Sequence, residues 1–291
     1  MRYKKGIILA AGKGSRLSPA TKVTAKPLLP VFDKPMLYYA LCNLMLAGIR
    51  DILFISRRED IKIFKKMFGS GKQLGMKFSY TYQRKQIGIP DAMRIGKRFI
   101  GKDSFALALA DNLFIGKEME KYLSKVQNSR LPANILSVKT KFPEKSAVIE
   151  VDIKGRIQSI VEKPSKPKSN DTIPGLYFYD KRSVEISKKL KKSKRGELEI
   201  VDVHLDYHKN KELSVIPLSQ NIKWFDTGDS HEMLIASNYV MEYQKKNKTL
   251  TGSIELVAYQ RKWISKLKFR DLINKLPESN YKNTLKNLLD G

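Results

Sequence analysis

Gly12-Lys13-Gly14-Ser15-Arg16-Leu17 follows the apolar run Gly6–Ala11, and it is the first place where residue types and spacing could do chemistry. Glycines let the backbone approach a phosphate closely, and the exposed N–H groups of such a turn can cradle one. Two better-known glycine motifs fail here. A P-loop needs four residues between its first glycine and a Gly-Lys pair, followed by Ser or Thr. Gly6 and Gly12 are separated by five, and Gly14 follows Lys13. A dinucleotide fingerprint needs a third glycine where Leu17 stands. Taken alone, the turn is also compatible with a merely flexible strand-to-helix connection.

Carboxylates offer the second kind of chemistry. Asp111 stands directly after the apolar stretch Phe105–Ala110, at the carboxyl end of what reads as a buried strand. That position suits either a ligand-holding carboxylate or a helix N-cap. Phe225-Asp226-Thr227-Gly228 resembles the active-site motif of aspartic proteases, but the context fails. There is no second Asp-Thr-Gly or Asp-Ser-Gly, and the chain is too long for a half-enzyme that dimerises. A helix follows, with Asp229 and Glu232 placed as N-cap and capping-box partner. Glu162-Lys163 is compatible with an ordinary strand-end ion pair, and Arg16 and Lys26 with solvated surface charges. His204 and His208 lie four apart but lack a third ligand, so a structural role fits them better than a metal. Lys188–Arg195 is a cationic run without interleaved aromatics and reads as a solvated helix end. Cys42 reads as a small core residue.

These residues require a scaffold. Short apolar runs at Gly6–Ala11, Ile52–Ser56, Phe78–Tyr82, Phe105–Leu109 and Ile135–Val138 suit buried parallel strands. Helical spacing fills the intervals at Met36–Ala47, Asp60–Phe68, Ile89–Phe99 and Lys117–Gln127. Alternating strand and helix implies βαβ units, with ligands beyond the carboxyl ends of the strands. After about residue 140 the pattern shifts to Ala147–Val151, Arg156–Val161 and Leu176–Tyr179, closer to an antiparallel insertion. Glu199–Tyr207 reads as a helix, Leu213–Pro217 as a strand and His231–Tyr243 as a long helix, and the final stretch carries helical spacing.

Ten residues after Arg16 comes Lys26-Pro-Leu-Leu-Pro30. Together with Gly-x-Gly-Ser-Arg-Leu it resembles the signature of the sugar-phosphate nucleotidylyltransferases. The resemblance continues in order through Phe32-Asp33-Lys34-Pro35-Met36, Leu46–Ile52, Leu109-Ala-Asp111-Asn112 and Val161-Glu162-Lys163-Pro164. It extends through Gly175–Asp180, Arg195–Ile200 and Trp224–Gly228, and within the family it is most similar to the glucose-1-phosphate thymidylyltransferases. The resemblance implies attack by a sugar 1-phosphate oxygen on the α-phosphorus of dTTP, giving dTDP-glucose and pyrophosphate. Positioning and charge neutralisation dominate such a reaction.

Residue by residue, the resemblance implies that Arg16 and Lys26 hold the triphosphate, with Arg16, Lys26 and Asp111 as the catalytic set. Asp111 and Asp226 would hold Mg²⁺. Leu9, Ala11, Gly12, Gly14, Gln83 and Gly88 would bind the nucleotide, with Gln83 and Gly88 beside the base. Ala147, Glu162, Lys163, Tyr177 and Arg195 would bind the sugar phosphate. The implied fold is α/β: a Rossmann-like mixed, mostly parallel sheet flanked by helices, a smaller sugar-binding sheet region and a C-terminal helical cap. The expected division is a nucleotidyltransferase domain over 1–240, with a nucleotide core at 1–140 and a sugar-binding insertion at about 141–222, then a helical region over 241–291. The resemblance further implies a homotetramer built as a dimer of dimers, feedback inhibition by a downstream dTDP-sugar, and supply of the dTDP-rhamnose pathway for surface polysaccharide.

The sequence departs from the family pattern beside the substrates. Ala11, Ala110 and Ala147 stand where glycines are usual, and Asp91 replaces the glutamine of the usual Gly-Leu-Ala-Gln-Ala segment. Each Gly-to-Ala change adds a Cβ where backbone passes ligand. The departures imply a different base (UTP or CTP) or sugar, or reduced turnover, as alternatives to full thymidylyl transfer.

Composition sets the outer limits. The chain has 291 residues and a formal charge of +27, which points first to a polyanionic partner. Yet the cations with an implied role (Arg16, Lys26, Lys163, Arg195) serve small phosphorylated substrates, so neither nucleic acid nor membrane is expected as a partner. No apolar run approaches the roughly 18 residues that span a bilayer. The basic start followed by Gly6–Ala11 is too short for a signal peptide, because Lys13 and Arg16 interrupt it. A single cysteine excludes an intrachain disulfide and fits a reducing, cytoplasmic setting.

Overall fold

The computed structural model describes residues 2–290; Met1 and Gly291, the outer ends of the expected divisions, lie outside the described residues. Its centre is a ten-stranded sheet. The strand Tyr3–Ala10 pairs in parallel with Asp51–Ser56 on one side and Ser104–Leu109 on the other, and Lys77–Tyr82 extends the first side. The chain therefore leaves Tyr3–Ala10 in one direction and returns on its opposite flank. Such a switch point opens a crevice at the carboxyl ends of the two strands.

Beyond Ser104–Leu109 the pairing changes sense. Leu176–Tyr179 lies antiparallel between Ser104–Leu109 and Ala133–Lys139. Ala133–Lys139 thus keeps the parallel direction expected of Ile135–Val138, with a later strand wedged between it and Ser104–Leu109. Asp171–Thr172, Ala147–Val151 and Ile157–Glu162 continue the same sheet antiparallel, and Leu213–Pro217 runs parallel beside Ala133–Lys139. A separate ribbon pairs Asn112–Ile115 with Lys223–Asp226.

The expected helix Ile89–Phe99 is broken into Asp91–Ile95 and Lys97–Ile100. Gly96 sits at the break, where a Cβ would come within 2.6 Å of Ile7 Cδ1. The missing side chain lets this segment press onto the sheet. The helix Ser230–Asn247 outruns its expected span and passes residue 240 without a break, capped by Asp229, whose carboxylate accepts from the Glu232 N–H.

Apolar side chains fill both faces of the sheet. On one, Phe54, Phe64, Phe68 and Phe78 pack with Leu256, Phe269 and Leu285 of the C-terminal helices Ile254–Gln260, Lys266–Lys275 and Asn280–Asp290. Each such side chain stabilises by about 1.5–3 kcal/mol on burial. Cys42 lies in this cluster. On the other face Phe105, Tyr177, Tyr179, Val203 and Tyr207 form a second cluster. No helix among the described residues is long and apolar enough to cross a membrane.

His204 is fully buried in the second cluster, with Nδ1 3.0 Å from the Tyr179 hydroxyl and Nε2 unpartnered. Burial pulls its pKa down to about 3. An unfolded histidine titrates near 6.5. The unfolded chain therefore takes up a proton first, and stability is lost as pH falls from about 6.5 towards 3. We expect this residue to remove about 2 kcal/mol between pH 6.5 and pH 5. Urea unfolding at both pH values, compared between the parent and His204→Gln, isolates the contribution; an equal pH slope in the two would refute it.

Candidate active site

After Ala10 the chain passes Ala11 and Gly12 into a single 3-10 turn, Ser15–Leu17. Gly14 has φ +65°, and a Cβ there would lie 2.9 Å from Lys26 Cβ and from Thr21 Cγ2. Only glycine lets the turn fold back onto the Lys26 segment. A Cβ on Gly12 would meet nothing within 4 Å, so the backbone there borders open space. Arg16 reaches across to Gly228, where a Cβ would sit 2.6 Å from its Nη2.

Lys26 is buried, and its Nζ lies 2.6 Å from Asp111 Oδ2. Asp111 is held from three sides. Its carbonyl accepts from Thr227 N–H (3.0 Å) and Oγ1 (2.9 Å), and its Oδ1 accepts from Asn112 Nδ2 at 3.0 Å. Asn112 Oδ1 accepts from Gly175 N–H (2.8 Å) and Trp224 Nε1 (2.7 Å). The ribbon register places Asp226 opposite Asn112, and so brings the second carboxylate to the first.

The two carboxylates carry opposite balances. Burial alone would raise the Asp111 pKa, but the Lys26 charge and hydrogen bond, with the Asn112 amide, hold it below the usual range. For Asp226, burial and then the charge of Asp111 push the pKa up to about 6, against Lys26, Arg16 and Lys163. One carboxylate is thus left short of positive charge beside an ionised neighbour. Among the described residues no group of three or more His, Cys, Asp or Glu is placed to hold a metal ion by itself. A buried carboxylate pair of this kind fits a hard divalent cation, which favours oxygen ligands and completes its shell with water or anionic oxygens.

A second cleft adjoins this pair. Ala147 and Glu162 face each other across a hairpin. Arg195 Nη1 lies 3.3 Å from Glu162 Oε1, with Glu197 and Glu199 at 3.5 and 3.7 Å. Burial raises the Glu162 pKa. Lys163 takes φ +44°, rare for a residue with a side chain, and its N–H donates to Ser146 O at 3.1 Å. Strain of that kind gathers at functional sites. Lys163 and Asp226 line both a cleft containing Arg16 and Gly228 and one containing Glu162, Tyr177 and Arg195.

On the remaining side Leu9 O accepts from Ala110 N–H at 3.1 Å, and Ala11 O accepts from Gln86 Nε2. Gln83 is buried and lines a cleft with Lys13, Arg57 and Arg84. Gly88 forms a parallel bridge to Leu198. Of the three departures from glycine, Ala110 packs into the apolar core, while Ala147 lines the cleft with Glu162, Tyr177 and Arg195.

Residue type alone does not distinguish Asn112, Thr227 or Lys145. Lys145 lines the clefts on both sides of Lys163, and no signal separates it from the other cations of the sequence. Asn112→Ala would leave the Gly175 N–H, Trp224 Nε1 and Asp111 Oδ1 without their partner. We expect a loss of about 2–4 kcal/mol in denaturant stability from these unmade bonds, together with a lower kcat; unchanged stability would show that these bonds are replaced by water.

Residues 5–243 match the family model described as nucleotidyl transferase. The chain is 41% identical to the glucose-1-phosphate thymidylyltransferase of Neisseria meningitidis over 98% of this chain and 99% of that protein. It is 40% identical to the Mycobacterium tuberculosis enzyme of the same name, with the same coverage of each chain. A crystal structure of UDP-glucose pyrophosphorylase complexed with UDP-glucose superimposes with a TM-score of 0.73 at 27% identity, covering 84% of this chain and 99% of that one. A glycine turn after the first strand, a carboxylate pair and clefts lined by Arg16, Lys163 and Arg195 agree with these likenesses: the chain belongs to the nucleotidyl transferase family.

Proposed function

We propose that this chain transfers a thymidylyl group from dTTP to glucose 1-phosphate, releasing pyrophosphate and forming dTDP-glucose. The observation that carries the reading is that Asp226, beside Asp111 and within reach of the Lys26, Arg16 and Lys163 charges, lines two adjoining clefts that share Lys163, one with Arg16 and the other with Arg195. Two phosphorylated substrates meeting at one carboxylate pair require that layout, because both bring negative charge to the bond being made.

Arg16 and Lys26 hold the β- and γ-phosphates and take up the charge that develops on departing pyrophosphate. Lys163 and Arg195 hold the sugar phosphate in line, and Glu162 accepts from sugar hydroxyls in front of Tyr177. Gln83 and Gly88 receive the base, while Leu9, Ala11, Gly12 and Gly14 form the wall along the nucleotide. Asp111 and Asp226 would hold Mg²⁺, which when bound neutralises phosphate charge at the α-phosphorus. Residues 1–140 then serve the nucleotide and 141–222 the sugar. The family resemblance supports a homotetramer working in the cytoplasm, which light scattering tests as a mass of four chains.

The test is pyrophosphate release with dTTP, glucose 1-phosphate and Mg²⁺, with dTDP-glucose identified by chromatography and EDTA as control. UTP and CTP, each against a panel of sugar 1-phosphates, complete the matrix. Absence of turnover with every pair would overturn the reading.

A further inference from the structure

We propose that Asp91 is a specificity-determining positioning residue that locks the Gln83 amide in one orientation and thereby restricts the site to bases carrying a ring N–H. The inference rests on the reading above in which Gln83 meets the base. Gln83 is 8% exposed, and its backbone N–H donates to Ser56 O at 3.0 Å, so its position is fixed at the end of its strand. Its side-chain nitrogen, Nε2, lies 2.9 Å from Asp91 Oδ2 and 3.5 Å from Gly88 O.

A glutamine amide could ordinarily face either way, because its two ends are similar in shape. Here the neighbours decide. Carboxylate and backbone carbonyl oxygens are acceptors, so the end that faces them is the NH₂ group. Reversing the amide would set Oε1 against Asp91 and replace a charge-assisted bond by repulsion between acceptors. Among the described residues no protein group donates to Gln83 Oε1, and Gln83 lines the open cleft beside Tyr82.

The site therefore offers a base an acceptor. Thymine and uracil present N3–H to it. Cytosine presents a lone pair at N3, and the conflict cannot be relieved by turning the amide. The glutamine usual at this position in the family could both donate and accept; Asp91 can do only one. The departure that first suggested an altered base thus acts to tighten the choice of imide bases over cytosine, while treating dTTP and UTP alike at this contact.

The test compares kcat/KM for dTTP, UTP and CTP with glucose 1-phosphate in the parent, Asp91→Asn, Asp91→Glu and Gln83→Ala, with thermal stability measured alongside. Sites that hydrogen-bond a substrate group reject an analogue lacking it by roughly 10⁴–10⁵, and we expect the parent's dTTP to CTP ratio to reach at least about 10³ at this single contact. In Asp91→Asn the ratio should fall by about tenfold or more, chiefly because KM for CTP drops, and Asp91→Glu should keep most of it. If Gln83→Ala abolishes the preference while Asp91→Asn retains it, the lock is overturned and the base site stands. If Gln83→Ala leaves the preference intact, the base is read elsewhere and the lock falls with it. A proportional loss for all three nucleotides in Asp91→Asn, with lowered thermal stability, would mark Asp91 as merely structural and also overturn the proposal.

Discussion

Asp111→Asn is expected to lower kcat/KM by about 10³-fold or more while leaving a folded chain, because it removes half of the negative charge that would hold the divalent cation. The substitution keeps an oxygen that can accept from Lys26 Nζ and the backbone carbonyl that Thr227 holds, while the bond from Asn112 Nδ2 is lost. What it removes is charge. The raised pKa of Asp226 owes its second contribution to the charge of Asp111, so that carboxylate should also return towards its ordinary range in the variant. Asp226→Asn should act through the same cation, and the double variant should be little worse than the poorer single one, since groups that serve one ligand are not additive. Initial rates over a range of Mg²⁺ concentrations check this: the loss should appear as weakened Mg²⁺ dependence as well as lower kcat. An Asp111→Asn variant retaining a tenth or more of parental kcat/KM would exclude Asp111 from the metal site.

Most of the scaffold could be read from periodicity. The short apolar runs at Gly6–Ala11, Ile52–Ser56, Phe78–Tyr82 and Phe105–Leu109 match parallel strands, and the acidic residue after Ala110 falls at the carboxyl end of the central pair. What periodicity could not convey was the order of strands. Leu176–Tyr179 is an apolar tetrapeptide like the others, and nothing local states that it inserts antiparallel between two strands formed much earlier in the chain. Register across that gap is decided by long-range burial of Tyr177 and Tyr179 against Phe105 and His204.

The site divides along similar lines. Charged residues in ordered motifs could be named, because phosphate chemistry demands them. Asn112 and Thr227 could not, since their work is to hold Asp111 through hydrogen bonds that exist only once the Lys223–Asp226 ribbon is paired. Arg16 illustrates the same point from the other direction. Its charge was visible among many, but the bare backbone of Gly228 that accommodates its guanidinium lies more than two hundred residues away. The overall +27 charge gives least guidance, because it does not separate a handful of placed cations from the many others of the chain, and exposed charges are screened by salt.

Gly88→Ala is expected to be the most damaging of the single-methyl changes in the site. Gly88 has φ +115°, a region that side chains avoid, and an added Cβ would lie 2.1 Å from Leu198 O, 2.7 Å from Leu198 N and 2.9 Å from its carbonyl carbon. These are backbone atoms, which cannot step aside as a side-chain tip can. The neighbouring bond from Leu198 N–H to Ile87 O, 2.7 Å long, ties the segment carrying Gln83 to the segment carrying Arg195. Alanine must therefore break the bridge between the nucleotide side and the sugar side or adopt a strained backbone, at a cost of about 1–3 kcal/mol for the strain alone. The expected result is a tenfold or greater rise in KM for both substrates together with a lower midpoint in thermal unfolding. Gly12→Ala is the matched control: its Cβ would enter open space at ordinary backbone geometry, so it should leave stability nearly unchanged and disturb only the nucleotide. Equal stability of the two variants would show that the Gly88–Leu198 contact does not couple the halves of the site.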